Sequence, residues 1–253
     1  CVFCGRCADV CPSGCHMVGE REGKPFHSFD REKCSRCGKC AEICPESAIE
    51  VYGKSVGIAE LAGELIKDKP FFDSSGGGVT VSGGEPLLQA DEVAGLLKKI
   101  KAAGVSTAVD TCGDVTRDAI EKVLPYTDVF LYDVKAIDPE VHKKCTGRDN
   151  ARILENLRFL GEAGAPVEIR IPFVPEFNDR EIDGIVKFVA GIKSVRVVRI
   201  LPYHDYARAK YAALGLGYGA ESARVPEKGE SEKATDYAEK FLSVVRPDIK
   251  VKR

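Results

Sequence analysis

Gly78-Val79-Thr80-Val81-Ser82-Gly83-Gly84-Glu85-Pro86 reads as a short apolar strand that stops at a polar, glycine-rich turn. An amphipathic pattern follows at 90–103, and then a second apolar run at 105–110. The unit is strand, turn, helix, strand, and the chain repeats it. Further strands are expected at 129–134, 167–172 and 195–201, with the first at 79–82. Helical patterns fall at 56–67, 117–124, 150–163, 180–192 and 231–245, and Asn178-Asp179 reads as a start signal for the helix at 180. Alternation at this spacing predicts an α/β fold whose parallel strands are covered by helices, either a doubly wound sheet or a TIM-like barrel. Both place function at the carboxyl ends of the strands.

Those ends are polar. They carry Ser82-Gly83-Gly84-Glu85, Asp110-Thr111-Cys112-Gly113, Asp133-Val134-Lys135, Arg170 within Ile169-Arg170-Ile171-Pro172, and Leu201-Pro202-Tyr203-His204. Taken singly, each has an ordinary structural use: Gly83-Gly84 as a turn, Asp110 and Asp133 as helix caps, Lys135 as a solvated charge, Arg170 and His204 as satisfied structural groups. Five successive strand ends with such groups are hard to explain as packing. Carboxylates and cations converging on one mouth suit a zwitterionic ligand.

Upstream the chain is different. It has 11 cysteines, nine of them in the first 44 residues. Cys1, Cys4, Cys7 and Cys11 follow C-x2-C-x2-C-x3-C-P, and Cys34, Cys37, Cys40 and Cys44 repeat it. In this ferredoxin run three close thiolates hold one [4Fe–4S] cluster and the fourth crosses to the other. One cluster would take Cys1, Cys4, Cys7 and Cys44, and the second Cys34, Cys37, Cys40 and Cys11. A disulfide framework or zinc knuckles would not be expected to give two identical triplets with two Cys-Pro endings. So little apolar content in about 50 residues predicts folding only around metal. Cys15 lies outside both motifs and reads as a bystander.

Composition narrows the function further. Charged residues make up 30% and the net charge is -2, so nothing points to nucleic acid or an anionic membrane. No apolar run reaches the ~18 residues of a membrane span, and no secretory signal is present, so a cytoplasmic protein is expected.

With these motifs in place, the chain resembles the radical S-adenosylmethionine activases of glycyl radical enzymes. The likeness runs from the ferredoxin-type head through the stretch 75–89, Asp110–Gly113, Phe130–Lys135, Cys145–Gly147 with Asn156, Ile169–Pro172 and Leu201–His204. It implies a partial (β/α)6 barrel over residues 54–253 and a ferredoxin-like domain with two [4Fe–4S] clusters over residues 1–53. Gly83, Gly84 and Glu85 would hold the amino group of S-adenosylmethionine. Asp110, Asp133, Lys135, Arg170 and His204 would be further cofactor contacts, and the two aspartates match a monovalent-cation position of some relatives. The resemblance also implies two protein partners: a glycyl radical enzyme offering its C-terminal glycine loop, and a donor such as flavodoxin or ferredoxin. Oxygen sensitivity of this chemistry implies an anaerobic host.

One element of the family pattern is missing from the sequence. Radical chemistry there uses C-x3-C-x2-C for a third [4Fe–4S] cluster with one open iron. Cys7-x3-Cys11 is followed by Gly14, Cys11-x3-Cys15 by Val18, and Cys40-x3-Cys44 by Ser47, while Cys112 and Cys145 stand apart. The expectation is a chain that begins inside the insert, lacking its first barrel strand and its catalytic cluster and inactive alone. Two other functions remain open: a radical enzyme acting on a different substrate, and a plain electron-transfer module.

Overall fold

The computed structural model describes residues 1–227 and 229–244, and divides into two compact units, 1–56 and 57–253. In the first unit, helix α1 (Arg6–Asp9) leads into a hairpin of β1 (His16–Arg21) and β2 (Lys24–Phe29), and α2 (Lys39–Ile43) follows. The strands pair antiparallel from His16↔Phe29 to Arg21↔Lys24. Among the described residues of this unit only Cys15 and His16 are buried, so it has no hydrophobic core. Its backbone repeats with the cysteines. Phe3 and Arg36, Gly5 and Gly38, and Gly14 and Ser47 all take positive φ, and each pair is separated by the offset that relates Cys1 to Cys34.

The second unit opens with α3 (Ile58–Ile66) and α4 (Lys69–Ser75), then alternates. The order is β3 (Gly78–Val81), α5 (Ala90–Ala102), β4 (Ser106–Thr111), α6 (Arg117–Val123), β5 (Val129–Asp133), α7 (Pro139–Thr146), α8 (Ala151–Glu162), β6 (Val167–Phe173), α9 (Ile182–Ala190), β7 (Val195–Pro202), α10 (Ala207–Leu214) and α11 (Glu230–Ala238). The five strands form one sheet in chain order, every neighbour parallel. The sheet is consistent with a partial TIM-like barrel, with β3 and β7 as its edge strands among the described residues. Each expected strand is present with its ends moved by about one residue.

Side chains alternate across the sheet. Val109, Phe130, Tyr132, Ile169, Ile171, Val198 and Ile200 are almost fully buried and join Leu97, Ile120, Leu157, Leu160 and Ile185 of the helices in one core. Each such side chain contributes about 1.5–3 kcal/mol. A smaller core packs α3 against α5 and β3 through Ala62, Val79, Leu96 and Ile100. Asp110, Leu131, Asp133, Glu168, Arg170 and Arg199, offset by one along their strands, stay half-buried on the opposite face. That face holds the charges.

Two expectations about helices are corrected. The C-terminal helix covers Glu230–Ala238, ending well before residue 244; residue 245, the expected end, lies outside the described residues. The chain turns after Ala238 so that Val198 N–H reaches the carbonyl of Ser243 at 3.0 Å, extending the pairing of β7. Asn178 is not a side-chain cap for the following helix. Its amide is taken up by two strand ends, as described below.

Candidate functional site

The carboxyl ends of the strands are tied to one another. The Ser82 hydroxyl donates to Asp110 Oδ2 at 3.0 Å, and Arg170 Nη1 meets the same oxygen at 2.7 Å. Asp133 pairs with Lys135 at 2.9 Å. The four charged side chains are 23–29% exposed, which makes these ion pairs stronger than surface ones yet still open to a ligand. Parallel register sets Asp133 beside Arg170 on adjacent strands. Asp110, Asp133 and Arg170 line a cavity of about 600 Å3 with Pro172, Tyr203 and His204. Of the expected contacts, these four gather at one mouth. The aspartates are paired with cations rather than used as helix caps.

Glu85 is positioned differently. Its carboxylate accepts from the Thr111 hydroxyl at 2.8 and 2.9 Å, from Cys112 N–H at 2.9 Å and from Leu87 N–H at 3.0 Å. A carboxylate has about four lone-pair sites, and the three donors of its own chain hold Glu85 in place. It and Lys135 line an adjoining cavity of about 770 Å3 with Cys112, Asp114, His142 and Arg148. Gly83, at φ 155, and Gly84 have open space where a Cβ would stand, and they run between Ser82 and Glu85 as bare backbone. Burial raises the Cys112 thiol above its ordinary pKa, so it stays protonated near neutral pH.

The anchors behind this surface were not legible as site residues. Asn150, Asn156 and Asn178 are 2–3% exposed. Asn156 Nδ2 donates to the carbonyls of Gly113 and Val115, both at 2.9 Å, which holds the loop after β4. Asn150 Nδ2 does the same for Ala136 and Ile137 after β5. Asn178 Nδ2 reaches Lys135 O at 2.8 Å and Pro172 O at 2.7 Å, and its Oδ1 accepts from Val174 N–H at 2.9 Å. Gly113 takes φ 73, and a Cβ there would stand 1.7 Å from Tyr132 Oη, so only glycine fits. The motif Asp110-Thr111-Cys112-Gly113 was a visible signal for Thr111, whose partner Glu85 lies 26 residues away.

In the first unit Cys1, Cys4, Cys7 and Cys44 line one cavity of about 430 Å3. This is the crossed set that the spacing suggests. Cys34 and Cys37 act electrostatically on Cys40, and burial raises the Cys40 thiol. Cys11 lies elsewhere than at that cavity: its Sγ is 3.1 Å from Cys15 Sγ, and Cys15 in turn interacts with Cys34. Two groups of four thiols fit the donor chemistry of iron–sulfur clusters, and Cys15 is a fifth beside the second group. His27 Nε2 is 3.8 Å from Cys7 Sγ and 3.0 Å from His16 Nδ1.

The chain, with its cysteine-rich first unit and its parallel-sheet second unit, is similar to known proteins over most of its length. The family profile described as the radical SAM superfamily matches residues 32–189, and a 4Fe-4S dicluster domain matches residues 1–48. This chain belongs to the radical SAM superfamily and, within it, to the activating enzymes of glycyl radical enzymes. It is 38% identical to the choline trimethylamine-lyase activating enzyme of Oleidesulfovibrio alaskensis, over 97% of this chain and 82% of that one. It is 36% identical to the (2S)-3-sulfopropanediol dehydratase activating enzyme of Klebsiella oxytoca, over 94% and 76%. The crystal structure of a domain of pyruvate-formate lyase-activating enzyme from Bacteroides vulgatus superposes with TM-score 0.57 and 26% identity, covering 67% of this chain and 98% of that one. No helix among the described residues is long and apolar enough to cross a membrane.

Proposed function

We propose that this chain works in generating a glycyl radical on a partner enzyme, by reductive cleavage of S-adenosylmethionine to methionine and a 5′-deoxyadenosyl radical. The radical takes one hydrogen from a glycine Cα in a loop of the partner and leaves as 5′-deoxyadenosine. One observation carries the reading: the ion pairs Asp110–Arg170 and Asp133–Lys135 at neighbouring strand ends, with bare glycine backbone beside them. A ligand with both an ammonium and a carboxylate can exchange into such pairs with its own charges satisfied. Asp110 and Asp133 would receive the ammonium side, with the Gly83 and Gly84 backbone, and Arg170 and Lys135 the carboxylate. His204 would close the far wall. Glu85 would shape the turn from behind.

Residues 1–53 form, in this reading, a ferredoxin-like domain with two [4Fe–4S] clusters, one on Cys1, Cys4, Cys7 and Cys44, the other on Cys34, Cys37, Cys40 and Cys11. Residues 54–253 form the radical SAM partial barrel. When bound, these clusters supply one-electron transfer from an external donor of the flavodoxin or ferredoxin kind. Such chemistry suits the reducing cytoplasm. The cysteines of this chain do not provide the C-x3-C-x2-C set of a cluster with an open iron, so no step is assigned to one.

The test uses anaerobically prepared protein. S-adenosylmethionine should bind by calorimetry, and Arg170→Ala should weaken it more than tenfold, because the ligand carboxylate then loses its charge-assisted partner. With a candidate lyase and the complete activating system, electron paramagnetic resonance should detect a glycyl radical. Normal binding by Arg170→Ala would remove the assigned site. Cofactor cleavage that never yields a radical on a lyase glycine would point to a different substrate.

A further inference from the structure

We propose that Cys15 is a reserve ligand of the second cluster, able to take the iron that Cys11 holds. The inference rests on the two-cluster reading above. Its first support is contact. Cys15 Sγ lies 3.1 Å from Cys11 Sγ, and Cys15 is 4% exposed, so a second thiol sits against a cluster ligand out of reach of solvent. Its second support is a nearby unspent polar group. A ring nitrogen of His16 lies within 4.8 Å of both sulfurs, and His16 Nε2, on a residue 7% exposed, has no hydrogen-bond partner among the described residues. A buried ring nitrogen without a partner is disfavoured. A thiolate ligand in this pocket would satisfy it.

The third support is the internal repeat. The turn after Cys11 and the turn after Cys44 share one backbone form. Gly14 N–H donates to Cys11 O and Ser47 N–H to Cys44 O, both at 3.2 Å. Cys15 N–H reaches Cys11 Sγ at 3.4 Å, and Ala48 N–H reaches Cys44 Sγ at 3.3 Å. Position 15 in the first half therefore corresponds to position 48 in the second. The first half has a thiol there and the second a methyl group. Only the cluster that draws on Cys11 has a spare ligand at this turn. In the exchange, the Cys11–iron bond breaks and the Cys15–iron bond forms, and the Cys15 S–H proton passes to the Cys11 sulfur 3.1 Å away. No electron changes hands.

The experiment compares the reconstituted chain with variants, reading iron and acid-labile sulfide per chain and the cluster signals in paramagnetic resonance. The unaltered protein should hold about eight irons, four per cluster; a value near four would overturn the two-cluster reading itself. Given eight, Cys15→Ala and Cys11→Ala should each keep all eight. Cys44→Ala and the double variant Cys11→Ala/Cys15→Ala should lose iron, at least the one that the missing thiolate held, and change the cluster signal in paramagnetic resonance. A loss in Cys11→Ala as large as that in Cys44→Ala overturns the reserve-ligand role. A transplant guards against a folding defect at position 11: adding Ala48→Cys to Cys44→Ala should restore the missing iron, and failure to restore it counts against the proposal.

Discussion

Glu85 illustrates how much one side chain's meaning depends on residues far from it in sequence. Its carboxylate is held by Thr111 and Cys112 from the next strand end, and by Leu87 one turn on. Thr111 is 2% exposed and its hydroxyl donates to Glu85, so it acts on a ligand through that side chain. Thr111→Val should weaken S-adenosylmethionine binding about fivefold, the loss of roughly 1 kcal/mol of hydrogen bonding; calorimetry giving an unchanged affinity would assign the loop's shape to other bonds. Asp128 makes a similar point about stability. Burial acts to raise its pKa, but Lys101 at 2.6 Å and the N–H and hydroxyl of Thr107 outweigh burial and hold it below the usual range. A carboxyl depressed in the folded state stabilises above its unfolded pKa, about 3.9, and loses that contribution as pH falls through the lower folded value. Far-UV circular dichroism melts should therefore fall more between pH 5 and pH 3 in the wild-type protein than in Asp128→Asn. Equal slopes would exclude the carboxylate.

At the scale of elements, the strands were legible because apolar alternation survives in a single sequence. The helices α5, α6, α8 and α9 were legible because one face of each enters the core. In the second unit, three of the described helices left no such trace. α7 buries only His142, and α4 and α10 bury nothing, so neither period nor composition marks them. For α7 the punctuation was present all the same, since Asp138 accepts from Glu140 and Val141 N–H ahead of Pro139 at the first turn. The three buried asparagines were illegible for another reason: their partners are carbonyls 6–43 residues away. Asn178→Ala would leave Lys135 O, Pro172 O and Val174 N–H without their partner. The expected cost is about 2–4 kcal/mol, a fall of roughly 5–15 °C in melting temperature. A shift under about 2 °C would mean water replaces the amide.

For the whole molecule, the two units are stabilised by different physics. The described residues of the second unit have a large apolar core and a smaller one, whereas residues 1–56 bury only two residues, which is the composition expected of a unit that folds around metal. Chelation under anaerobic conditions should abolish amide-exchange protection across β1 and β2 while the amides of β4, β5 and β6 keep theirs; retained protection in the hairpin would show that it folds without iron. The cysteine spacing set the expectation that the first unit depends on metal, and strand-end polarity pointed to the residues that the structure gathers at the carboxyl ends of the sheet. Neither disclosed how the site is held. The loops after β4, β5 and β6 are fastened by amides whose hydrogen bonds go to the protein's own carbonyls. Such loops have little left to order when a ligand arrives. Association with S-adenosylmethionine should then proceed as a single encounter, its observed rate climbing in proportion to concentration in stopped-flow traces. A plateau would mean the strand ends must first rearrange, and that the asparagine anchors yield before the ligand is seated.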